Sequence, residues 1–213
     1  MKAVKEIIHL VKYSETLKRV NRTGWALVGV NHSQSESVSE HSYGTAILSL
    51  LISREMIDCD GIVDQSKVIS MALIHDLPEA LTSDIPHSVS KSGGDDLARI
   101  KKKLERDAIS QIAKTKSSFE SWILELWDEM EKAKTVESRI VMGADVLDML
   151  IHALALETSG VSPEVLNQFF LSSHERLDLL DIPIISSIFW ELYMEHLNNA
   201  KKRGIQLDEI SRK

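Results

Sequence analysis

Residues 140–154 read Ile-Val-Met-Gly-Ala-Asp-Val-Leu-Asp-Met-Leu-Ile-His-Ala-Leu. Ile140, Ala144, Leu147, Ile151 and Leu154 recur at steps of three and four, the spacing of one face of an α-helix. Asp145 stands inside this apolar run, and Asp148 follows one turn later. An aspartate in such a setting is costly to bury without a partner. A basic residue on a neighbouring helix would satisfy Asp145; so would a shared metal ion. His152, seven residues beyond Asp145, reads as a packed core histidine.

The same period runs outward in both directions. Val4, Ile7, Ile8 and Val11 show it, as do Ala46, Ile47, Leu50 and Leu51. Leu97, Ile100, Leu104, Ala108 and Ile112 form another stripe, and Leu166, Phe169, Phe170 and Leu177 follow Ser162-Pro163, a sound helix start. A last helix is expected from near Ile184 to Lys202, ending at Gly204. Polar stretches at Val28–Ser39, Asp58–Asp64 and Asp84–Asp96 read as loops. The 213 residues include only 9 Gly and 4 Pro, about half the usual ~7% and ~5%. Turn-rich all-β architectures are disfavoured. With no strand alternation, repeat or linker, the chain is expected to be all-α, one compact helical domain over residues 1–213.

Composition narrows the chemistry. There are 25 Lys+Arg against 32 Asp+Glu, a formal net charge of -7, which argues against coating a nucleic-acid polymer. The single cysteine, Cys59, excludes an internal disulfide framework and a zinc site built mainly on thiolates. Any bound metal must rest on His, Asp and Glu. Lys2, Lys5, Glu6, His9, Lys12 and Glu15 break the first 17 residues, so no secretory signal is expected. Nor is any stretch near the ~18 apolar residues of a membrane span. The expectation is a cytoplasmic protein with no membrane partner.

The sharpest local feature is Ile74-His75-Asp76-Leu77-Pro78-Glu79. Imidazole beside carboxylate suits Zn, Mn, Fe or Co, and Glu79 lies one turn from both. A structural reading competes. Asp76 could be an N-cap, with Pro78 in the first turn and Glu79 closing a capping box. The readings are compatible, because a helix break at Asp76 would turn its carboxylate toward a cavity. His41 lies in Val38-Ser39-Glu40-His41-Ser42, just before an apolar-periodic helix, where Ser39 could cap.

Four ordered blocks together are more specific than any one. They are Leu17 to Trp25, with Arg22; Glu36 to Ser42, with His41; Ala72 to Pro86, with His75-Asp76; and Arg139 to Met149, with Asp145. This order resembles the HD-domain superfamily of metal-dependent phosphohydrolases, in its 5'-deoxynucleotidase subgroup. The resemblance covers roughly residues 17–150; the C-terminal helices, about 163–203, carry no motif.

The resemblance implies that His41, His75, Asp76 and Asp145 ligate one divalent ion (Co, Mn, Zn, Mg or Fe). It implies that Glu79 orients or deprotonates the attacking water. Asp84 would touch the nucleotide or the leaving-group side, Arg22 the phosphate, and Trp25 the sugar or base, although Trp25 alone reads equally as a core or surface-anchoring aromatic. The substrate would be a (deoxy)nucleoside 5'-monophosphate, and the protein a homodimer, for which Phe189, Trp190 and Tyr193 are candidate interface residues. One departure is Gly143, where such proteins more often carry a second acid. The alternatives are an HD hydrolase acting on a triphosphate, cyclic or signalling nucleotide, or a non-catalytic metal-binding helical protein.

Overall fold

The structure, a computed structural model, describes residues 2–59, 61–115 and 117–210. Its helices are α1 (Lys2–Leu17), α2 (Thr23–Leu27), α3 (Val38–Asp58), α4 (Gln65–Ile74), α5 (Glu79–Thr82), α6 (His87–Ser92), α7 (Gly94–Ala113), α8 (Ser118–Lys132), α9 (Val136–Thr158), α10 (Pro163–Asp178) and α11 (Pro183–Lys202). Among the described residues the only β pairing is an isolated bridge between Asn21 and Ser37. The all-α expectation holds, and the last helix ends where Gly204 takes a positive φ of 68°.

Residues 140–154 lie within α9, and several other helices gather round it. Helices α3, α4, α8, α10 and α11 all pack on α9, burying Ile140, Ala144, Leu147, Leu150, Ala153 and Leu154. Helix α3 meets α9 with a face of mostly small polar residues: His41, Ser42, Thr45, Ser49 and Ser53 are buried along with Ile52. Side chains this small let the two backbones approach closely. Consequently Ile47, Leu50 and Leu51, expected as an apolar contact stripe, face outward. Cys59, at the C-terminal end of α3, is exposed.

Three other expectations need correction. Residues 84–96 are not a continuous loop, for they contain α6 and the start of α7. The stripe on α1 is not a core face: Val4, Ile7, Ile8 and Val11 are 58%, 48%, 52% and 58% exposed, while Glu6, Leu10, Tyr13 and Leu17 turn inward. The C-terminal aromatics are spent inside the chain. Phe189 and Tyr193 are buried, and Trp190 packs edge-on to His174, Phe189 and Tyr193. Phe189 and Tyr193 therefore have no surface left for an interface, while Trp190 is half-buried.

Helix α11 is tied to the far end of α9. Glu157, fully buried, meets His196 Nδ1 and accepts from Asn199 Nδ2 at 2.7 Å. Arg203 donates to the Glu157 and Val161 carbonyls. The His196 ring stacks on Phe170 with centroids 4.1 Å apart.

Candidate metal centre

Two local structures bring the N-terminal residues to the centre. Arg22 N donates to the Glu36 carbonyl (2.9 Å) and Val38 N to the Val20 carbonyl (2.8 Å), so residues 20–22 run beside 36–38. Ser37, not Ser39, caps α3. Its hydroxyl accepts from Glu40 N, and the Glu40 carboxylate accepts from Ser37 N in return. The box fixes the first turn of α3, on which His41 sits.

The second local structure is the break after α4. The chain leaves the helix at Ile74 and turns through residues 75–78 before α5 begins. The capping box envisaged between Asp76 and Glu79 does not form, and α5 has no side-chain cap. The Asp76 carboxylate faces charged partners instead. Its Oδ2 lies 3.1 Å from Arg22 Nη1 and 3.2 Å from His75 Nε2.

The four expected ligands come together. His41 Nε2 is 3.4 Å from His75 Nε2, 3.0 Å from Asp145 Oδ1 and 3.7 Å from Asp76 Oδ2. His41, His75 and Asp145 form a set whose donor atoms all lie within 4.8 Å of one another. Donors at about 2.1 Å from one tetrahedral ion stand about 3.4 Å apart, so this donor set fits a divalent ion of zinc size. Each histidine also has its far nitrogen engaged. His75 Nδ1 meets the Ala72 carbonyl at 2.8 Å, and His41 Nδ1 meets Asp148 Oδ2 at 2.8 Å.

Electrostatics follow from burial among these charges. Burial alone would lower the His41 pKa, but Asp145 and Asp148 outweigh it and push it up to about 10 in the ion-free protein. Burial works against the Asp76 and Asp145 carboxylates too, yet the histidines and Arg22 hold both well below the usual range. Glu79 goes the other way. Burial, then Asp76 and Asp84, push its carboxyl up to about 10, and its buried Oε2 has no hydrogen-bond partner. A buried acid oxygen left unpaired by the protein, in a group whose pKa is raised by burial and then by Asp76, fits a site that also takes a water.

The remaining expected residues fall into two groups. Arg22 is at the centre, against Asp76. Asp84 is anchored beside it: its carboxylate accepts from Thr23 N, its carbonyl accepts from Thr23 Oγ1 at 3.1 Å, and Oδ1 is 4.0 Å from Arg22 Nη1. That carboxylate therefore holds the start of α2. Trp25 is not at the surface of the site. It is 2% exposed, packs against Phe169 and His152 with centroids 4.7 and 5.1 Å away, and donates Nε1–H to Glu36 at 3.2 Å. A ring so enclosed braces the wall and has no face left for a sugar or base.

His152 stays outside the cluster, as expected, with Nε2 3.2 Å from the Gln34 carbonyl. At Gly143 a Cβ would come within 2.3 Å of Ile185; α11 fills the place where a second acid would otherwise stand. Sequence reasoning assigned no role to Glu36, Asp148 or Thr23. For Asp148 the available signal was its position one turn after Asp145.

An imidazole from α3, a second from the turn after α4 with an aspartate beside it, and a lone aspartate on α9 thus converge, in the order of the sequence blocks. The sequence profile described as HD domain matches residues 14–180. This chain belongs to the HD domain family. Among HD-domain relatives it is similar to the 5'-deoxynucleotidase HDDC2 of Dictyostelium discoideum, 36% identical over 157 residues, covering 70% of this chain and 77% of that protein. It is 32% identical over 171 residues to the 5'-deoxynucleotidase HDDC2 of Danio rerio, covering 80% and 79%. A conserved hypothetical protein from Pyrococcus furiosus has a similar solved structure, with TM-score 0.72 and 32% identity over 88% of this chain and 99% of that one.

Proposed function

We propose that this chain is a metal-dependent 5'-nucleotidase that hydrolyses deoxynucleoside 5'-monophosphates to nucleoside and phosphate. The observation that carries the reading is the convergence of His41, His75, Asp76 and Asp145 beside the partnerless Glu79 oxygen. The substrate class is supported by the names of the relatives.

The four converging residues would hold one divalent ion. Such an ion supplies Lewis-acid charge to the phosphoryl group and acidifies a water. Arg22 binds phosphate: its guanidinium has five donors in a planar fork, more than the bond to Asp76 uses. Asp84 acts through Arg22 and the start of α2, holding both in place. The charge of an ion held beside Asp76 would favour ionised Glu79, and that carboxylate takes a proton from the water that attacks phosphorus. As the bond from phosphorus to the 5'-oxygen breaks, that proton is available to the leaving oxygen, so the acid returns to its starting state. The chain works as one unit on this reading, because α9 presents Asp145 and clamps α11 through Glu157.

The test is phosphate release from metal-stripped protein reloaded separately with Co, Mn, Zn, Mg or Fe. Deoxy- and ribonucleoside mono-, di- and triphosphates are each offered. Release from deoxynucleoside monophosphates is expected with at least one metal. No release from any monophosphate overturns the proposal.

The working form is proposed to be a homodimer, assembled through α1. Its outward residues read Val4, Ile7, Ile8, Val11, a pattern that is the same in reverse. Antiparallel pairing about a two-fold axis would set Val4 against the partner subunit's Val11 and Ile7 against the partner subunit's Ile8, as a self-complementary interface requires. Light scattering should give a dimer that Ile7→Lys dissociates; a wild-type monomer ends this idea. A cytoplasmic location is part of the proposal. None of the described helices is long and apolar enough to cross a membrane.

A further inference from the structure

We propose that Asp148, admitted to its place by the missing side chain of Gly44, is a positioning residue that fixes the His41 ring with Nε2 turned toward His75 and Asp145. The inference rests on the metal-centre reading above and goes beyond it in naming what orients a ligand.

A neutral imidazole has one N–H and one lone pair, and the partner of the N–H decides which nitrogen faces an ion. His75 is oriented by main chain, since its Nδ1 meets the Ala72 carbonyl at the end of α4. His41 has no comparable backbone acceptor recorded at Nδ1; there it meets Asp148 Oδ2, 2.8 Å away and 107 residues further along the chain. The buried ring therefore depends on a side chain from another helix for its orientation.

Gly44 is the counterpart of that arrangement. It lies inside α3, one turn after His41, where glycine is a poorer helix former than alanine. Its φ is not positive, so no backbone conformation demands glycine there. The demand is for space. A Cβ on residue 44 would lie 1.9 Å from Asp148 Oδ1, 2.7 Å from its Cγ and 3.0 Å from Oδ2. The carboxylate would have to shift, and its bond to His41 Nδ1 would be disturbed.

Glu36, His41 and Asp148 also form a group with metal-type donors within 4.8 Å of one another. A second ion there would need a lone pair on His41 Nδ1, while the main site needs one on Nε2. A neutral ring cannot serve both without losing its last proton, so Asp148 is an orienting acceptor.

The test titrates Zn²⁺ and Mn²⁺ into metal-stripped wild type, Asp148→Asn, Asp148→Leu, Asp148→Ala, Gly44→Ala and the Gly44→Ala/Asp148→Ala pair. Circular dichroism on each checks folding. Asp148→Leu should weaken ion binding by about 10- to 100-fold, the usual effect of losing such an orienting partner. Asp148→Asn, whose amide oxygen can still accept from Nδ1–H, should recover most of the loss. Gly44→Ala should weaken binding in the same direction, yet add nothing in an Asp148→Ala background, because it acts through the Asp148 carboxylate and truncation there leaves room for the new Cβ. Imidazole ¹⁵N spectra of the Zn-loaded wild type should place the His41 proton on Nδ1, a readout that needs no variant.

Equal affinity in wild type and Asp148→Leu, or a His41 proton on Nε2, overturns the inference while the metal centre stands. Wild type that binds neither ion overturns the metal-centre reading itself, and this one with it.

Discussion

Arg22 Nη1 and Asp76 Oδ2 form an ion pair of 3.1 Å across 54 residues of sequence. The residue proposed to grip phosphate thus leans on a residue proposed to grip the ion. Once an ion takes the Asp76 oxygen, the guanidinium loses part of its counter-charge and gains reason to meet an anion. Ion and substrate should therefore favour one another's binding.

Arg22→Ala should raise KM for the nucleotide at least about tenfold, since a charge-assisted paired contact to phosphate is lost. Ion affinity should not fall, because a competing cation beside Asp76 has gone. Isothermal titration separates the two effects, and a variant that binds metal more weakly than wild type would contradict the assignment. Arg22→Lys should recover only part of KM, an ammonium lacking the planar fork.

Glu79 has a folded-state pKa raised to about 10 from an ordinary 4.5 in the ion-free protein, by burial first and then by Asp76 and Asp84. Its stabilising contribution is full below about pH 4.5 and is lost as pH climbs through about 10. His41, raised from 6.5 to about 10, loses its contribution toward the same upper limit. Metal-stripped protein should therefore weaken steadily between pH 6 and 10 in urea titrations. Glu79→Gln should show a shallower fall; a slope equal to wild type would refute the protonated, buried acid. In the loaded enzyme the same variant should lose about 10²- to 10⁴-fold in turnover.

Ser83, just before Asp84, has φ 59° and ψ 168°, a region that glycine alone occupies without strain. The kink delivers the Asp84 carboxylate to Thr23. Ser83→Gly should stabilise the fold by about 1 kcal/mol, relief of strain exceeding the added freedom of the unfolded chain. Urea midpoints measure it, and a lower midpoint would show that the turn carries no strain.

Ser37→Ala removes the hydroxyl that caps α3 and leaves Glu40 without that partner. A loss of about 1 kcal/mol is expected, read by thermal unfolding of the metal-stripped protein. Because His41 is on the same turn, ion affinity should drop as well. Unchanged affinity would mean that α9 alone sets the ring.

Much of this was legible beforehand. The apolar stripe of α9 announced a helix with a buried face, though not that it is the central one, and the ligand types stood out because an Asp inside such a run is costly to bury. What the sequence hid was direction. In α3 the apolar stripe points outward and the small polar stripe inward, because close backbone approach to α9 favours small side chains over apolar ones. Periodicity reports that a stripe exists, not which neighbour it meets. Trp25 stayed open for a related reason, since an aromatic three residues from Arg22 reads equally as a substrate platform and as a bracing core ring. The contact between Gly44 and Asp148 joins residues far apart in the chain, and no local pattern marks it.

Cys59 ends α3 at the opposite end from His41, about 27 Å away along the axis at about 1.5 Å per residue. The protein thus carries a single thiol, solvent-facing and remote from its chemistry. A maleimide dye attached there should leave the metal centre undisturbed, giving one defined fluorescent reporter per chain without engineering. Conversely, an electrophilic compound that abolishes activity while Cys59→Ser is equally sensitive must act somewhere other than cysteine.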